Sequence, residues 1–243
     1  MTRTVPARIG VVEQPLSSIV GALAGNMLMT PVLALYEDIL RNGAALDLSP
    51  LPRMIFVVHG SATIAHRTLT GGEAWHGQGA LTVKAGDAGA TCWRWELASD
   101  DAADRVNRDT TSRTKLVAPL ATLPHGDLLL RGDSVGFPPG GCAYAHRHRG
   151  PGIRCLIEGG IRIDTRGTST SYGPGGAWYE SGPDAVFAQA VADRPSRFIR
   201  VMILPRELLG KSSIEYVESA DASKPRVQQY NIFADIPIDR PPG

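Results

Sequence analysis

Two histidines separated by one residue, His146 and His148, are the strongest chemical signal in the sequence. They lie in AYAHRHRGPGIRCLIEGGIRI, residues 143–163. Side chains two apart along a β-strand project from the same face, so both imidazoles would point one way and Arg147 the other. Neutral imidazoles held in this way can occupy adjacent positions around Zn, Fe, Mn, Ni or Cu. Alone the pair is weak evidence, because catalytic metals usually have three protein ligands.

The elements that would position these histidines are predicted to be β-strands. Short apolar runs between Gly and Pro turns dominate from about residue 25 to 205, which is typical of an all-β sandwich or barrel. Leu16–Ala24 is a helix candidate. Ala34–Arg41 fits a helix or a strand, because its apolar positions match neither period well.

The strand pattern occurs twice along the chain. Residues 51–64 align with 150–163 without a gap, and 71–83 align with 175–186. Two matches in the same order predict an internal duplication. We therefore predict an N-terminal arm at 1–24, β-modules at 25–115 and 116–205, and an extended C-terminal arm at 206–243. That arm would pack Tyr216, Tyr230 and Phe233 onto a barrel or a neighbouring subunit.

Composition excludes several classes of function. The 243 residues carry 25 basic and 24 acidic side chains, mixed along the chain, so nucleic acid and anionic membranes are not expected as main partners. Three irregularly spaced cysteines indicate neither a disulfide framework nor a metal clip. The sequence shows no signal peptide and no apolar run long enough to cross a bilayer, so we predict a soluble, cytoplasmic protein.

The run around the histidines resembles motif 1 of the cupin superfamily, in which H-x-H is followed by Glu, a strand and an E-G turn. GPGGAWYESGPDAVFAQ resembles motif 2, in which a W-x-E strand and a Pro-Gly turn precede a His. The resemblance covers about 180 residues and implies two tandem double-stranded β-helix (cupin, or jelly-roll) barrels with minor helices, that is, a bicupin. It also implies a divalent transition metal (Fe, Mn, Ni or Zn), bound by the two motif 1 histidines, the Glu and the motif 2 His.

Only half of that ligand set is present in the second module. His146 and His148 match, but the Glu position falls on Gly152 (or Ile153) and the motif 2 His position on Val186. In the first module the four positions fall on Asp47, Ser49, Arg53 and Val83, which together do not make a usual ligand set. We therefore expect the first module to have kept its barrel and lost its site.

Three further side chains are candidates under this resemblance. Glu180, on the W-x-E strand, is a third metal ligand or a hydrogen-bonding rim residue. Tyr144 would share the face of the histidines and would donate a proton or ligate. Arg154 would point into the barrel, where a buried guanidinium needs a partner: a substrate carboxylate, Glu180 or Asp184. A pairing with Glu180 would take that carboxylate away from a metal.

These features predict a metal-binding cupin enzyme that acts on a small, carboxylate-bearing molecule in the second barrel, with dioxygenase, lyase or isomerase chemistry. The alternative is a non-catalytic, small-molecule-binding or regulatory bicupin with a degenerate site. A third reading is a metal-free isomerase with His146 or His148 as the base and Tyr144 or Tyr179 as the acid. The resemblance and the long arm also predict a homodimer.

Overall fold

The fold consists almost entirely of antiparallel strands. A computed structural model describes residues 30–99, 105–106, 109–121 and 123–240, and these ranges contain eighteen strands and two 3-10 helices. The N-terminal strands are β1 (Val32–Leu40), β2 (Ala45–Leu48), β3 (Arg53–Ile64), β4 (Arg67–Thr70), β5 (Ala74–Gly77), β6 (Leu81–Ala98), β7 (Arg105–Val106) and β8 (Thr110–Pro119). The C-terminal strands are β9 (Leu128–Phe137), β10 (Cys142–His148), β11 (Gly152–Glu158), β12 (Ile161–Thr165), β13 (Thr168–Tyr172), β14 (Ala177–Glu180), β15 (Val186–Ala190), β16 (Ser196–Pro205), β17 (Ile214–Tyr216) and β18 (Gln229–Ile238). The 3-10 helices are Arg206–Leu208 and Ser219–Ser223.

The ambiguous segment Ala34–Arg41 is a strand, so its helical reading is wrong. It lies within β1, which pairs with β6 on one side and β8 on the other. Pairing on both sides satisfies its backbone groups, and burial of both faces explains why its apolar residues follow no clean period. The helix predicted at Leu16–Ala24 and the arm at 1–24 lie outside the described residues. No helix in the described part of the chain is long and apolar enough to span a bilayer.

Three sheets make up the described structure. The N-terminal half forms one eight-stranded sheet with the order β4-β3-β6-β1-β8-β7, to which β2 and β5 pair through β6 and β3. The C-terminal half forms two five-stranded sheets, with the orders β13-β12-β15-β10-β17 and β14-β11-β16-β9-β18. The predicted all-β barrel architecture is confirmed.

Apolar cores lie between these sheets. One core joins the two halves: Trp95, Phe56 and their neighbours pack with Ile153 and Val201, and the Trp95 indole N–H donates to the Ile153 carbonyl at 3.2 Å. A separate core lies between the two C-terminal sheets and includes Trp178. The buried side chains of that second core surround the histidines described below.

Two aligned glycines, Gly60 within β3 and Gly159 directly after β11, support the alignment of the two halves. Gly60 and Gly159 are aligned in sequence, and both have a left-handed backbone, with φ of 73° and 79°. A Cβ at either glycine would overlap the backbone carbonyl oxygen of a neighbouring segment, that of Gly89 or of Pro195, so both positions require glycine. The division into two modules at 25–115 and 116–205 stays a prediction.

The segment after residue 205 packs against its own chain. β17 adds to β10, with Tyr216 opposite His146, and β18 adds to β9, with Tyr230 opposite Val135. The Phe233 ring lies 5.6 Å from that of Phe56. The segment thus supplies an edge strand to each C-terminal sheet, and it brings two tyrosines close to the candidate site.

Candidate functional site

The candidate site is a small cavity between the two C-terminal sheets, with a volume of about 30 Å³. That is room for roughly two water molecules. Its walls combine an apolar lining with several buried polar side chains. The polar side chains lining it are His146, His148, Arg154, Glu180, Arg200, Tyr216, Gln228 and Tyr230.

The two histidines converge on this cavity from β10. Both are at least nine-tenths buried, and their Nε2 atoms lie 3.3 Å apart. His146 Nδ1 lies 2.7 Å from the Tyr144 carbonyl oxygen. Because a carbonyl only accepts, Nδ1 carries the proton and the Nε2 lone pair is directed toward His148. Two nitrogens 3.3 Å apart suit adjacent positions on one ion at about 2.1 Å from each.

Glu180 reaches the histidines from the neighbouring sheet. Its Oε2 lies 3.5 Å from His148 Nε2, and its Oε1 accepts a 2.9 Å hydrogen bond from the Trp178 indole N–H. In the β11–β14 ladder Glu180 is directly opposite Gly152, the position that the cupin resemblance assigns to the motif 1 Glu. A Cβ at Gly152 would lie 2.5 Å from the Val201 carbonyl oxygen. The carboxylate at this place therefore comes from β14 and not from β11.

Arg154 lies fully buried beside that carboxylate. Its Nη1 donates to the Gly152 carbonyl at 2.7 Å, and its Nη2 lies 2.7 Å from Glu180 Oε2. The second contact lacks the alignment of a hydrogen bond, so neither Nη2 nor Oε2 has a hydrogen-bond partner within the described residues. Burial lowers the pKa of Arg154 to about 10 even though Glu180 is close. Both members of the pair are therefore incompletely satisfied.

The donors fit a divalent metal only in part as they stand. Over the described ranges, no three His, Cys, Asp or Glu side chains are gathered closely enough to make a finished metal site. Two imidazoles converge, whereas Glu180 is drawn toward Arg154. Two imidazoles and one carboxylate are nevertheless a common catalytic set, and Glu180 Oε2 is a buried acceptor without a hydrogen bond. The residue types therefore fit a metal, whereas Glu180 is placed as the partner of Arg154.

A second buried arginine was not anticipated from the sequence. Arg200 pairs with Asp133 through two hydrogen bonds of 2.7 and 3.0 Å, and both side chains are buried. Burial would lower the pKa of Arg200, but the Asp133 carboxylate outweighs it and raises that pKa. From its residue types alone the run RGD at 131–133 would be predicted as a turn, but it lies within β9, so that reading is wrong. Charged residues inside otherwise apolar strands were the available signal.

The environment keeps both histidines neutral. Burial lowers the pKa of His146, with partial opposition from the Tyr144 carbonyl and Glu180. Burial lowers the pKa of His148 well below its ordinary value, and the charges of Arg154 and Arg200 act in the same direction. Neutral imidazoles are the form that binds metals.

Tyr144 is not placed as the strand pattern suggested. The β10–β15 ladder shifts register between Ala143 and His146, and such a bulge breaks the simple alternation of faces. Its ring lies 4.3 Å from Lys224 Nζ, outside the residues that line the cavity. Tyr144 contributes its carbonyl to His146 and not its hydroxyl. Asp184, the other partner considered for Arg154, pairs with Arg166.

The first half offers an internal comparison. The positions aligned with the two histidines are Asp47 and Ser49, and those aligned with Arg154 and Glu180 are Ile55 and Gly77. Arg53, aligned with Gly152, is buried and forms an ion pair with Glu96 at 2.7 Å. The second half thus contains His146, His148, Arg154 and Glu180, and the first half has a different residue at each of the four aligned positions.

The facing antiparallel sheets around a polar cavity agree with the cupin fold that the sequence predicts. Among solved structures, the chain is similar to oxalate decarboxylase (TM-score 0.55, 12% identity, 71% of this chain and 69% of that chain). It is also similar to oxalate decarboxylase from Bacillus subtilis at pH 4.6 (TM-score 0.52, 13% identity, 71% and 68%) and to AerE from Microcystis aeruginosa (TM-score 0.53, 11% identity, 72% and 88%). One of the oxalate decarboxylase structures is described by its Mn(II) centers. No family model and no curated protein match the sequence.

Proposed function

We propose that this protein is a metal-binding cupin enzyme whose C-terminal barrel acts on a small, carboxylate-bearing molecule. The observation that carries the proposal is the position of Glu180. It stands opposite Gly152, its Oε2 is 3.5 Å from His148 Nε2, and that oxygen lacks a hydrogen bond within the described residues. His146, His148 and Glu180 would hold the metal, which supplies a Lewis acid or an oxygen-activating centre for dioxygenase, lyase or isomerase chemistry.

The remaining groups of the site prepare it for an acid. The Arg154 guanidinium lies beside the Glu180 carboxylate. Once Glu180 turns to the metal, Arg154 can bind a substrate carboxylate through two hydrogen bonds. The Trp178 indole N–H holds the other oxygen of Glu180, and the Tyr144 carbonyl fixes the tautomer of His146. The apolar walls exclude bulk water, which strengthens each of these interactions.

The charge of the site favours an anionic substrate. Without metal, Arg154 is balanced by Glu180 and Arg200 by Asp133, while the histidines are neutral. A divalent cation adds two positive charges to a buried, neutral cavity, and uncompensated buried charge is costly. A carboxylate substrate provides the compensation. Oxalate, named in the structural neighbours, is a small acid suitable as a first test compound.

Metal binding tests the proposal directly. Protein purified without a His-tag is stripped with chelator and titrated calorimetrically with Mn(II), Fe(II), Ni(II) and Zn(II). We expect about one ion per chain for the wild type, and at least ten-fold weaker binding for His148→Ala and Glu180→Gln. His59→Ala removes an exposed histidine and serves as the matched control, with unchanged binding. Failure of every metal to bind the wild type refutes the proposal.

A second candidate is a metal-free binding protein for small anions. Two observations favour it. Glu180 is already paired with Arg154, and Val186 stands at the position of the motif 2 His. On this reading metals do not bind, while small acids raise the melting temperature of the stripped protein, and Arg154→Met abolishes that effect. Homodimer formation also stays a prediction, to be checked by light scattering.

A further inference from the structure

A second and larger pocket, of about 280 Å³, adjoins the histidine cavity. The two share Arg200, Ile214 and Tyr230 as wall residues. The inner cavity, about 30 Å³, holds little more than one reacting group, whereas binding sites for whole small molecules are typically several hundred Å³. A small-molecule ligand would therefore place one reacting group in the inner cavity and the rest of the molecule in the larger pocket. We call this larger pocket the outer pocket.

The outer pocket carries an excess of positive charge. Arg131 and Arg200 in its wall are each paired with an aspartate, Asp235 at 2.9 Å and Asp133 at 2.7 Å. Two further cations in the lining, Lys211 and Arg226, are exposed. Neither forms an ion pair with any of the described residues; the Arg226 guanidinium only faces the Tyr216 ring at 5.5 Å. Two positive charges thus remain uncompensated at the entrance.

Tyr230 separates the two spaces. Its ring lies 5.8 Å from the Arg200 guanidinium, and its side chain lines both pockets although the residue is 46% exposed. It is carried by β18, an edge strand of its sheet. A ligand that extends from the outer pocket to the histidines would therefore pass this ring.

We propose that the outer pocket binds a second anionic group of the substrate, so that the preferred substrates are small organic acids with two acidic groups. One carboxylate reaches Arg154 in the inner cavity, and the second lies between Lys211 and Arg226. The inference rests on the proposed function for the inner carboxylate. The inference adds that the site prefers acids with two acidic groups to acids with one.

The test is a calorimetric binding series with four probes: acetate, succinate, glutarate and 3-phosphonopropionate. The last compound shows whether the second group is recognised as a carboxylate or as a phosphate-like anion. The proteins are the wild type, Lys211→Gln, Arg226→Gln and the double variant. Arg194→Gln, which removes an exposed arginine outside both pockets, is the matched control.

We expect the wild type to bind a diacid more tightly than acetate. Each pocket variant should weaken diacid binding about two- to five-fold, the usual effect of an exposed charge, and added salt should reduce the difference. Acetate binding should not change. Equal loss for acetate and the diacids, or equal affinity of the wild type for both, overturns the proposal.

This outcome is separable from the fate of the proposed function. If metal binds as expected but diacids show no preference, only the inference about the outer pocket fails. If no metal binds, the proposed function fails and Glu180 stays paired with Arg154. Weaker diacid binding by Lys211→Gln and Arg226→Gln in the metal-free protein would then still support the outer pocket, and unchanged diacid binding by both variants would overturn it.

Discussion

Replacement of Arg154 by Met tests whether the guanidinium competes with a metal for Glu180. Methionine is similar in length and apolar, so it fills the space without the charge. In the metal-free protein the change leaves the Glu180 carboxylate buried without a cation. Breaking a buried pair in this way costs about 3 kcal/mol of stability. The melting temperature of Arg154→Met should fall, and the double variant Arg154→Met/Glu180→Gln should regain most of it.

Metal affinity should change in the opposite direction. Arg154 Nη2 lies 2.7 Å from the oxygen that would ligate the metal, so a metal must share or displace it. Unit charges about 4 Å apart interact by about 4 kcal/mol at the effective dielectric of a protein surface. If a third of this repulsion between Arg154 and the metal remains in the wild type, removing the guanidinium tightens metal binding about ten-fold. We therefore expect a less stable protein that binds Mn(II) and Zn(II) at least ten-fold more tightly.

Competition titration with a chromogenic chelator measures this affinity at pH 7.5, and thermal unfolding with and without metal measures the stability. Met202→Leu, a volume-conserving change at another buried position beside Gly152, is the control for repacking. Unchanged or weaker metal binding by Arg154→Met would show that the guanidinium supports the carboxylate and does not compete for it. The mechanism of partner exchange would then be refuted.

Two other predictions follow from burial. The pKa of both site histidines is lowered by burial, so below about pH 6.5 the unfolded chain binds protons that the native protein does not. The protein freed of metal by a chelator should therefore lose thermal stability between pH 7 and pH 5, and His148→Asn should lose less. An identical dependence of melting temperature on pH for the two proteins contradicts this. Burial raises the pKa of Cys92 and Cys155 to about 12, so at pH 8 a thiol reagent should modify Cys142 alone until the protein unfolds. Rapid labelling of two or three thiols in the native protein would be evidence against the buried placement.

The fold was readable from the sequence because it depends on local signals. Apolar runs of strand length, separated by glycine turns, are sufficient to predict antiparallel sheets, and the aligned glycines Gly60 and Gly159 adopt the same left-handed conformation. The ambiguous β1 segment shows the limit: a strand paired on both sides and buried on both faces lacks the alternation that identifies a half-exposed strand. This segment is a strand because it pairs with β6 and β8, which its own sequence pattern does not show.

The site was readable only where its residues lie on one strand. His146 and His148 satisfy the period of two and do converge. Tyr144 satisfies the same period and does not, because a bulge intervenes. Arg200 lies within a strand that reads as apolar, and Asp133 lies in the run RGD, which reads as a turn. Their pairing depends on the register between β9 and β16. Cross-strand register is a tertiary property that a single sequence does not encode in any local pattern.

If Glu180 ligates a metal as proposed, the same reasoning explains why counting ligands by sequence position gives too low a number. Directly opposite residues in a ladder have Cβ atoms about 5 Å apart, so a Glu on β14 can bring its carboxylate to the place that a Glu on β11 would occupy. A double variant that returns the carboxylate, Gly152→Glu with Glu180→Gly, tests whether the two positions are interchangeable in this chain. We expect that it does not restore metal binding, because a Cβ at Gly152 meets the Val201 carbonyl oxygen at 2.5 Å and Met202 Cγ at 2.8 Å. The backbone around Gly152 is thus closed to any side chain. Metal binding by the double variant at wild-type affinity would refute this, and the position of Glu180 would then have no steric cause.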